Sequence, residues 1–390
     1  MAVKKRRKVV SQKGAGSRPA PSKSGGIKKR TSVPIEPDGP PEFPGELGNA
    51  IAKITEKGDY GAPFIKASSK RMDRPRTRTG VLAIDLCLGG GWKKSSCGML
   101  YGEKSSGKST TALQSIAAMH RANPDAIAGW VDVEGTLDKA WARKLGCDLD
   151  RIVVVNPETG EHAVDLADTL LRAREVEMVI LDSIAMITPM KEVEESTEQD
   201  FMGLQSRLMG KYLRKATQAI LKERGRNHLP TLININQFRM KIGIPFGDPR
   251  TLPGGKILEF ATSQQIEMKN KEQKGKDADG NEVIFYNEHN FINTKNKTGG
   301  PMKSGAFKLI RTAGHDNLPE AWVDQAKTIY KLGTQMGVIE GAPSSFTIDG
   351  INGKFRGAPA YNAWALENRY EHDKVQGMII DAFRKQWDVS

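Results

Sequence analysis

Cysteine is scarce: the 390 residues contain three, Cys87, Cys97 and Cys147, and none is spaced like a metal-ligand pair. That argues against a disulfide framework and against a Cys-based zinc site, and for a reducing compartment. Aromatic residues make up only 6% of the chain. No apolar run approaches the ~20 residues of a membrane span, and the N-terminus lacks the apolar core of a secretory signal. No Asp or Glu occurs before Glu36. These absences lead us to expect a soluble intracellular protein whose first segment carries charge of one sign.

What is present can build a core. The hydrophobic fraction is 38%, and the length suits roughly two or three domains of ~100–200 residues each. The net charge of +13 favours an anionic partner such as nucleic acid. Residues 1–41 are rich in Lys, Arg, Ser, Gly and Pro, and a segment of that composition stays disordered because it has too little apolar surface to bury. Its run Lys4-Lys5-Arg6-Arg7-Lys8 fits a DNA-adhesive arm, a nuclear-localisation cluster or an organellar targeting segment. Residues 42–75 hold a short amphipathic pattern (Leu47, Ile51, Ile54) that predicts a helix ending near Gly58, then an extended run from Ala62 to Ile65.

From Arg76 the pattern alternates strands and helices, the signature of βαβ units in a mostly parallel sheet. The strand candidates are Met99 to Tyr101, Trp130-Val131, Ile152 to Val155, Met178 to Leu181 and Leu232 to Ile235. Beyond Ser263 the runs look hairpin-like: Ile266 to Met268, Val283 to Thr294 across an Asp279-Gly280 turn, then Ala306 to Ile310. We therefore assign an α/β core to 76–313 and a small α+β C-terminal domain to 314–390. No internal repeat is evident.

The sharpest chemical signal is Gly102-Glu103-Lys104-Ser105-Ser106-Gly107-Lys108-Ser109, which fits G-x-x-x-x-G-K-S between an apolar strand and a helix. Glycines there let successive backbone N–H groups wrap phosphates, and the helix N-terminus adds favourable potential. Lys108 is expected to reach the β/γ-phosphates and Ser109 to ligate Mg²⁺. Asp182 ends a buried strand and is assigned to the Mg²⁺ shell through water, while Ser183 is expected to cap a helix. Glu134 follows a second strand; a carboxylate there can deprotonate an attacking water, hold a second Mg²⁺ contact or cap a helix. Gln237 ends another core strand, as a γ-phosphate sensor or a satisfied buried amide. Lys295 and Lys297, two apart in an extended run, could reach phosphates of nucleotide or DNA, or be solvated.

Thr231 to Lys256 runs from a buried strand into a long loop that mixes Arg239 and Lys241 with Met240, Ile242 and Phe246. Long loops within compact domains are usually functional. Cations beside apolar wedges suit single-stranded nucleic acid, and a locally packed hairpin is the plainer alternative.

Together these residues resemble the bacterial RecA recombinase family from about Glu42 to the C-terminus, most densely from Gly80 to Pro301. The stretches that carry the resemblance are GEKSSGKS, DVEGTLDKAWARKLG, VILDSIAMITP, FMGLQSRLM, INQFRMKIGIPFGDP with the following GG, and KNK. The resemblance implies a RecA-type P-loop ATPase core with antiparallel strands at one sheet edge and an N-terminal docking segment. ATP and Mg²⁺ would bind between protomers of a helical filament on single-stranded DNA. It assigns Lys108, Ser109 and Thr110 to the nucleotide, Glu134 to water activation and Gln237 to γ-phosphate sensing. Asp138 and Trp141 fall at adenine contacts, and Lys295 and Lys297 would reach the ATP of the adjacent subunit.

For DNA, the resemblance marks a first loop from about Glu194 to Arg207, with Met202, Gly203 and Arg207. A second loop carries Arg239, Lys241, Ile242, Gly254, Gly255 and Lys256. Phe64, Phe246 and Phe260 match subunit-contact positions. It further implies double-stranded DNA as a partner, mediator and single-strand-binding proteins, and a cytoplasmic, nucleoid-associated location. The chain departs from the family pattern at Trp141, Pro253 and Lys256. It ends without an acidic tail and begins with a basic one. A ring-shaped helicase on the same core and a DNA-coating scaffold without turnover are the rival readings.

Overall fold

A computed structural model describes residues 44–56, 74–194, 203–240, 249–297 and 299–389. Phe64, Met202, Lys241, Ile242 and Phe246, the basic tail and the extended run after the first helix lie outside the described residues. Helix α1 (Gly45–Glu56) carries the predicted apolar stripe, with Ile51 buried and Leu47 and Ile54 exposed.

Alternating apolar residues build the core by facing opposite sides of one sheet. The central strands are β3 (Ser96–Gly102), β4 (Ile127–Asp132), β5 (Ile152–Val155), β6 (Val176–Asp182) and β7 (Thr231–Gln237). Among the described residues the sheet has the order β13-β12-β11-β10-β3-β7-β6-β4-β5. Its remaining strands are β10 (Gln264–Lys276), β11 (Glu282–Asn296), β12 (Ser304–Ile310) and β13 (Val323–Asp324). From β10 through β5 the pairings are parallel, whereas β10 to β13 pair antiparallel. The predicted mixed sheet with an antiparallel edge is therefore the observed one.

Period two decides which helix each strand residue meets. Leu100, Trp130, Ile180 and Ile233 pack with Ala112, Leu113 and Ile116 of α3 (Lys108–Ala122). Their chain neighbours Met99, Val131, Val179 and Leu232 pack with α5 (Gly160–Arg172) and α7 (Leu204–Gly225). Burial on both faces explains why these strands are apolar throughout rather than alternating with polar residues. A third cluster joins α2 (Leu82–Cys87) and Ile310 to α9 (Ala326–Gln335), α10 (Gly357–Glu367) and α11 (Arg369–Gln386). Strands β14 (Ile339–Ala342), β15 (Ser345–Ile348) and β16 (Ile351–Phe355) make a small antiparallel sheet there.

The β10–β11 turn is wider than Asp279-Gly280 alone, because Lys276 pairs with Glu282 and leaves five residues between. The Asp277 carboxylate accepts from the backbone of Asp279 and Asn281, which supplies the bonds that a two-residue turn would make. Short ribbons complete the fold: β1 (Arg76–Thr77) with β2 (Trp92–Lys93), and β8 (Arg239–Met240) with β9 (Arg250–Thr251). Register then concentrates chemistry at one sheet edge. Gly102 lies opposite both Gln237 and Met268, and Asp132 lies opposite Asp182.

Candidate functional site

The loop from Gly102 to Ser109 leaves the C-terminal end of β3 and opens α3. Two of its glycines are required by space. A Cβ at Gly102 would lie 2.2 Å from the Met268 carbonyl oxygen, and one at Gly107 would lie 2.5 Å from the His289 ring. Gly107 also has φ +95°, a conformation that side chains disfavour. Glu103, Lys104 and Ser105 are exposed and Ser106 is buried. The Lys108 ammonium, 6% exposed, donates to the carbonyls of Glu103 (2.6 Å) and Gly102 (3.4 Å). Burial pulls it down to about 8, against the charges of Asp182, Glu134 and Glu103, which favour protonation.

Ser109 Oγ donates to Asp182 Oδ2 at 2.8 Å. Burial pushes the Asp182 carboxyl up to about 7; the Ser109 bond opposes that and the nearby Glu134 and Asp132 charges add to it. A hydroxyl and a carboxylate held together beside a glycine cradle and a buried lysine fit a magnesium-bound polyphosphate, in which the cation would relieve this carboxylate crowding.

Glu134 lies in the turn after β4, where the Asp132 carboxylate accepts from the backbone of Thr136 (3.2 Å) and Leu137 (3.0 Å). One oxygen of Glu134, Oε1, accepts from both Ser183 Oγ (2.5 Å) and Gln237 Nε2 (2.7 Å). Ser183 therefore departs from its expected capping role: it precedes the short helical turn Ile184–Met186 without a side-chain cap bond. Its hydroxyl goes to the carboxylate because Asp132 and Asp182 are paired across the sheet, which brings Glu134 and Ser183, each just past a strand end, together.

Asp138 caps α4 (Lys139–Lys144), accepting from Ala140 N at 2.8 Å and Trp141 N at 3.0 Å. The Trp141 indole N–H donates to Thr110 Oγ1 at 3.2 Å, and the Arg311 guanidinium lies 4.4 Å over its ring. Lys108, Ser109, Asp182, Glu134 and Gln237 thus form one connected group, flanked by Thr110 and Trp141. Lys295 and Lys297 are not bonded to it. The Lys295 ammonium donates to the carbonyls of Glu259 and Phe260 in α8 (Lys256–Ala261). Burial and the Lys297 charge depress its pKa. Lys297 is exposed one residue past β11.

The ends of both candidate DNA loops are anchored nearby. The short helix α6 (Met190–Glu194) leads into the first. Gly203 precedes α7, with Arg207 exposed in its first turns. Arg239 donates to the Ala185 carbonyl. At the far end of the second loop, Asn236 Nδ2 donates to Pro253 O at 3.0 Å, so the strand that carries Gln237 also holds the loop's return. Gly254 is buried, Gly255 and Lys256 are exposed, and Phe260 is 71% exposed.

Sequence reasoning missed His289. Its Nδ1 lies 3.0 Å from the Ser106 carbonyl, and its ring packs at a tilt against Phe307, centroids 4.9 Å apart, buttressing the phosphate loop from β11. Nothing in the local pattern singles out one buried histidine 183 residues from its partner. Burial lowers its pKa to about 4. Between that value and an unfolded value near 6.5 the unfolded chain takes up a proton that the folded one does not. Stability should therefore fall as pH drops through this window, by on the order of a few kcal/mol. His372, also buried and lowered to about 4, acts in the same direction. Denaturant midpoints at about pH 7 and about pH 5 check the sign, and His289→Asn should flatten the difference. An unaltered slope in the variant would remove His289 as a source.

A phosphate loop between β3 and α3, with acids at the ends of neighbouring parallel strands, defines an α/β protein of the P-loop class. The comparisons are more specific. The profile of the RecA N-terminal domain matches residues 46–316. Protein RecA of Corynebacterium pseudotuberculosis is 36% identical over 307 residues, covering 78% of each chain. Protein RecA of Desulforapulum autotrophicum is 37% identical over 315 residues, 77% of this chain and 85% of the relative. The Nocardia farcinica protein of that name is 32% identical over 333 residues, covering 85% and 90%. The chain belongs to the RecA family. Its role is that of a recombinase in homologous recombination and repair.

Proposed function

We propose that the chain is a DNA-dependent ATPase that assembles as a helical filament on single-stranded DNA and pairs it with homologous duplex. The observation that carries this reading is the shared Glu134 oxygen. Gln237, which begins the second loop, and Ser183, which leads toward the first, both donate to it. A change at the nucleotide is thereby transmitted to backbone that leads into both loops.

In this reading backbone N–H groups of the Gly102–Ser109 loop and Lys108 hold the β- and γ-phosphates. Mg²⁺ would be held by Ser109, with Asp182 in its outer shell, and would supply neutralisation of phosphate charge. Glu134 takes the proton from the attacking water, using Oε2 while Oε1 stays fixed by its two donors. Trp141 stacks on the base beside Asp138. Lys295 and Lys297 reach the nucleotide of an adjacent copy, as cations supplied in trans. Gly203, Arg207, Arg239, Gly254, Gly255 and Lys256, with Met202, Lys241 and Ile242, are assigned to DNA binding.

Self-association has candidate surfaces. Among the described residues strand β5 is the sheet edge and leaves Val153 and Val154 exposed, and α1 exposes Leu47 and Ile54. An uncovered apolar edge strand invites pairing with another chain. We assign 42–75 to docking on a neighbour together with Phe64, Phe246 and Phe260, 76–313 to the ATPase core and 314–390 to a C-terminal domain. No described helix is long and apolar enough to cross a membrane. A cytoplasmic, nucleoid-associated location with mediator and single-strand-binding partners completes the proposal.

Electron microscopy with single-stranded DNA and a slowly hydrolysed ATP analogue tests it. Continuous helical filaments are expected; closed hexamers alone would point to a ring-shaped helicase instead.

The basic tail, residues 1–41, holds eleven Lys and Arg against two acids. Deleting it should weaken duplex binding by at least about tenfold at low salt. The salt dependence should become shallower too, by about 0.9 in slope for each phosphate the tail no longer neutralises. Equal affinity and equal slope for the truncated and full chains would exclude the tail from duplex binding.

A further inference from the structure

The five residues from Ser183 to Ile187 touch Glu134 and residues at the ends of both candidate DNA loops. Ser183 Oγ holds Glu134 Oε1 at 2.5 Å. The side chains of Ile184 and Ile187 are buried, at 0% and 2% exposure, so the segment moves as one packed turn and not residue by residue. Three carbonyls of this segment are taken by side chains from elsewhere. Gln205 Nε2 donates to Ile184 O (3.3 Å) and Ile187 O (2.9 Å), and Arg239 donates to Ala185 O. A Cβ at Gly254 would stand 3.4 Å from Ile184 Cγ2, so the return of the second loop packs on the same residue.

Gln205 sits in the first turn of α7, at the C-terminal end of the first candidate DNA loop. It makes the two hydrogen bonds that tie that turn to the segment. We infer that Gln205 is a positioning residue that relays occupancy of the first DNA loop to Glu134 through the Ser183 hydroxyl. The inference rests on the proposed DNA-dependent ATPase and adds to it a second route, independent of Gln237. Movement of the α7 start drags the carbonyls of Ile184 and Ile187. The rigid turn then carries Ser183 Oγ toward or away from Glu134 Oε1, and with it the direction of Oε2.

The test compares full-length wild type with Gln205→Met, which keeps the volume and removes both hydrogen bonds, and with Gln205→Lys, which retains a donor. Phosphate release is measured with and without single-stranded DNA, alongside KM for ATP and DNA affinity by anisotropy. Stimulation by DNA is expected to fall at least fivefold in Gln205→Met through kcat. KM and DNA affinity should stay within about twofold, and Gln205→Lys should recover much of the loss. Because both residues act through one hydroxyl, Gln205→Met combined with Ser183→Ala should lose no more stimulation than Ser183→Ala alone.

Undiminished stimulation in Gln205→Met overturns the inference while leaving the ATPase reading intact. A loss that follows DNA affinity, or additive losses in the double variant, overturns it equally. If wild type itself shows no stimulation, the underlying reading fails first and the relay with it.

Discussion

Glu134→Gln should slow ATP hydrolysis by roughly 10²–10⁴-fold, the usual contribution of a general base, while ATP binding stays within a few-fold of wild type. The geometry makes this a clean substitution. The oxygen that Ser183 and Gln237 grip can be supplied by the amide of Gln, so both donors keep a partner. Only the second oxygen is replaced, by an NH₂ that cannot take a proton from water. Single-turnover hydrolysis and equilibrium binding of a fluorescent ATP analogue separate the two effects. Rapid turnover in the variant would move the base elsewhere.

Lys108→Ala should abolish productive nucleotide binding, costing about 2–5 kcal/mol or roughly 30- to several-thousand-fold in affinity. Lys108 is 6% exposed, and its ammonium is held by carbonyls of its own loop, so the charge is already positioned for phosphate. Its removal also leaves Asp182 and Glu134 without their balancing cation, which raises the carboxyl pKa of Asp182 further. Magnesium titrations of ATP binding, read by calorimetry, should show the loss together with weaker metal dependence. Wild-type affinity in the variant would mean that backbone N–H groups alone hold the phosphates.

How much of this could be read from sequence depended on how local each signal is. The phosphate loop, strands ending in acid and the hairpin after Ser263 are short-range patterns, and β3, β6 and β10–β11 lie where those patterns put them. The contact between Ser183 and Glu134 spans 49 residues and follows from parallel pairing of β4 with β6, which no local pattern encodes. A serine after a strand is an ordinary capping signal, so the capping expectation was reasonable and tertiary register overrode it. His289 was invisible for the same reason: only the fold brings β11 against the phosphate loop. The loop from Arg239 is proposed as functional because cations and apolar residues alternate there. Its anchoring was not legible, since Asn236 to Pro253 and Arg239 to Ala185 are bonds across the fold. Asp138 was assigned to adenine by family likeness, and the structure adds a local duty, the cap of α4.

The central claim is that nucleotide turnover and DNA binding are linked through the residues gathered on Glu134. Steady-state phosphate release by the full-length protein, with and without single-stranded DNA, tests it most directly. Slow release alone is expected, with a marked rise in kcat on adding single-stranded DNA and saturation at a fixed number of nucleotides per protomer. Release that stays flat at every DNA concentration, despite demonstrated ATP and DNA binding, would contradict it and leave a DNA-coating protein without coupled turnover.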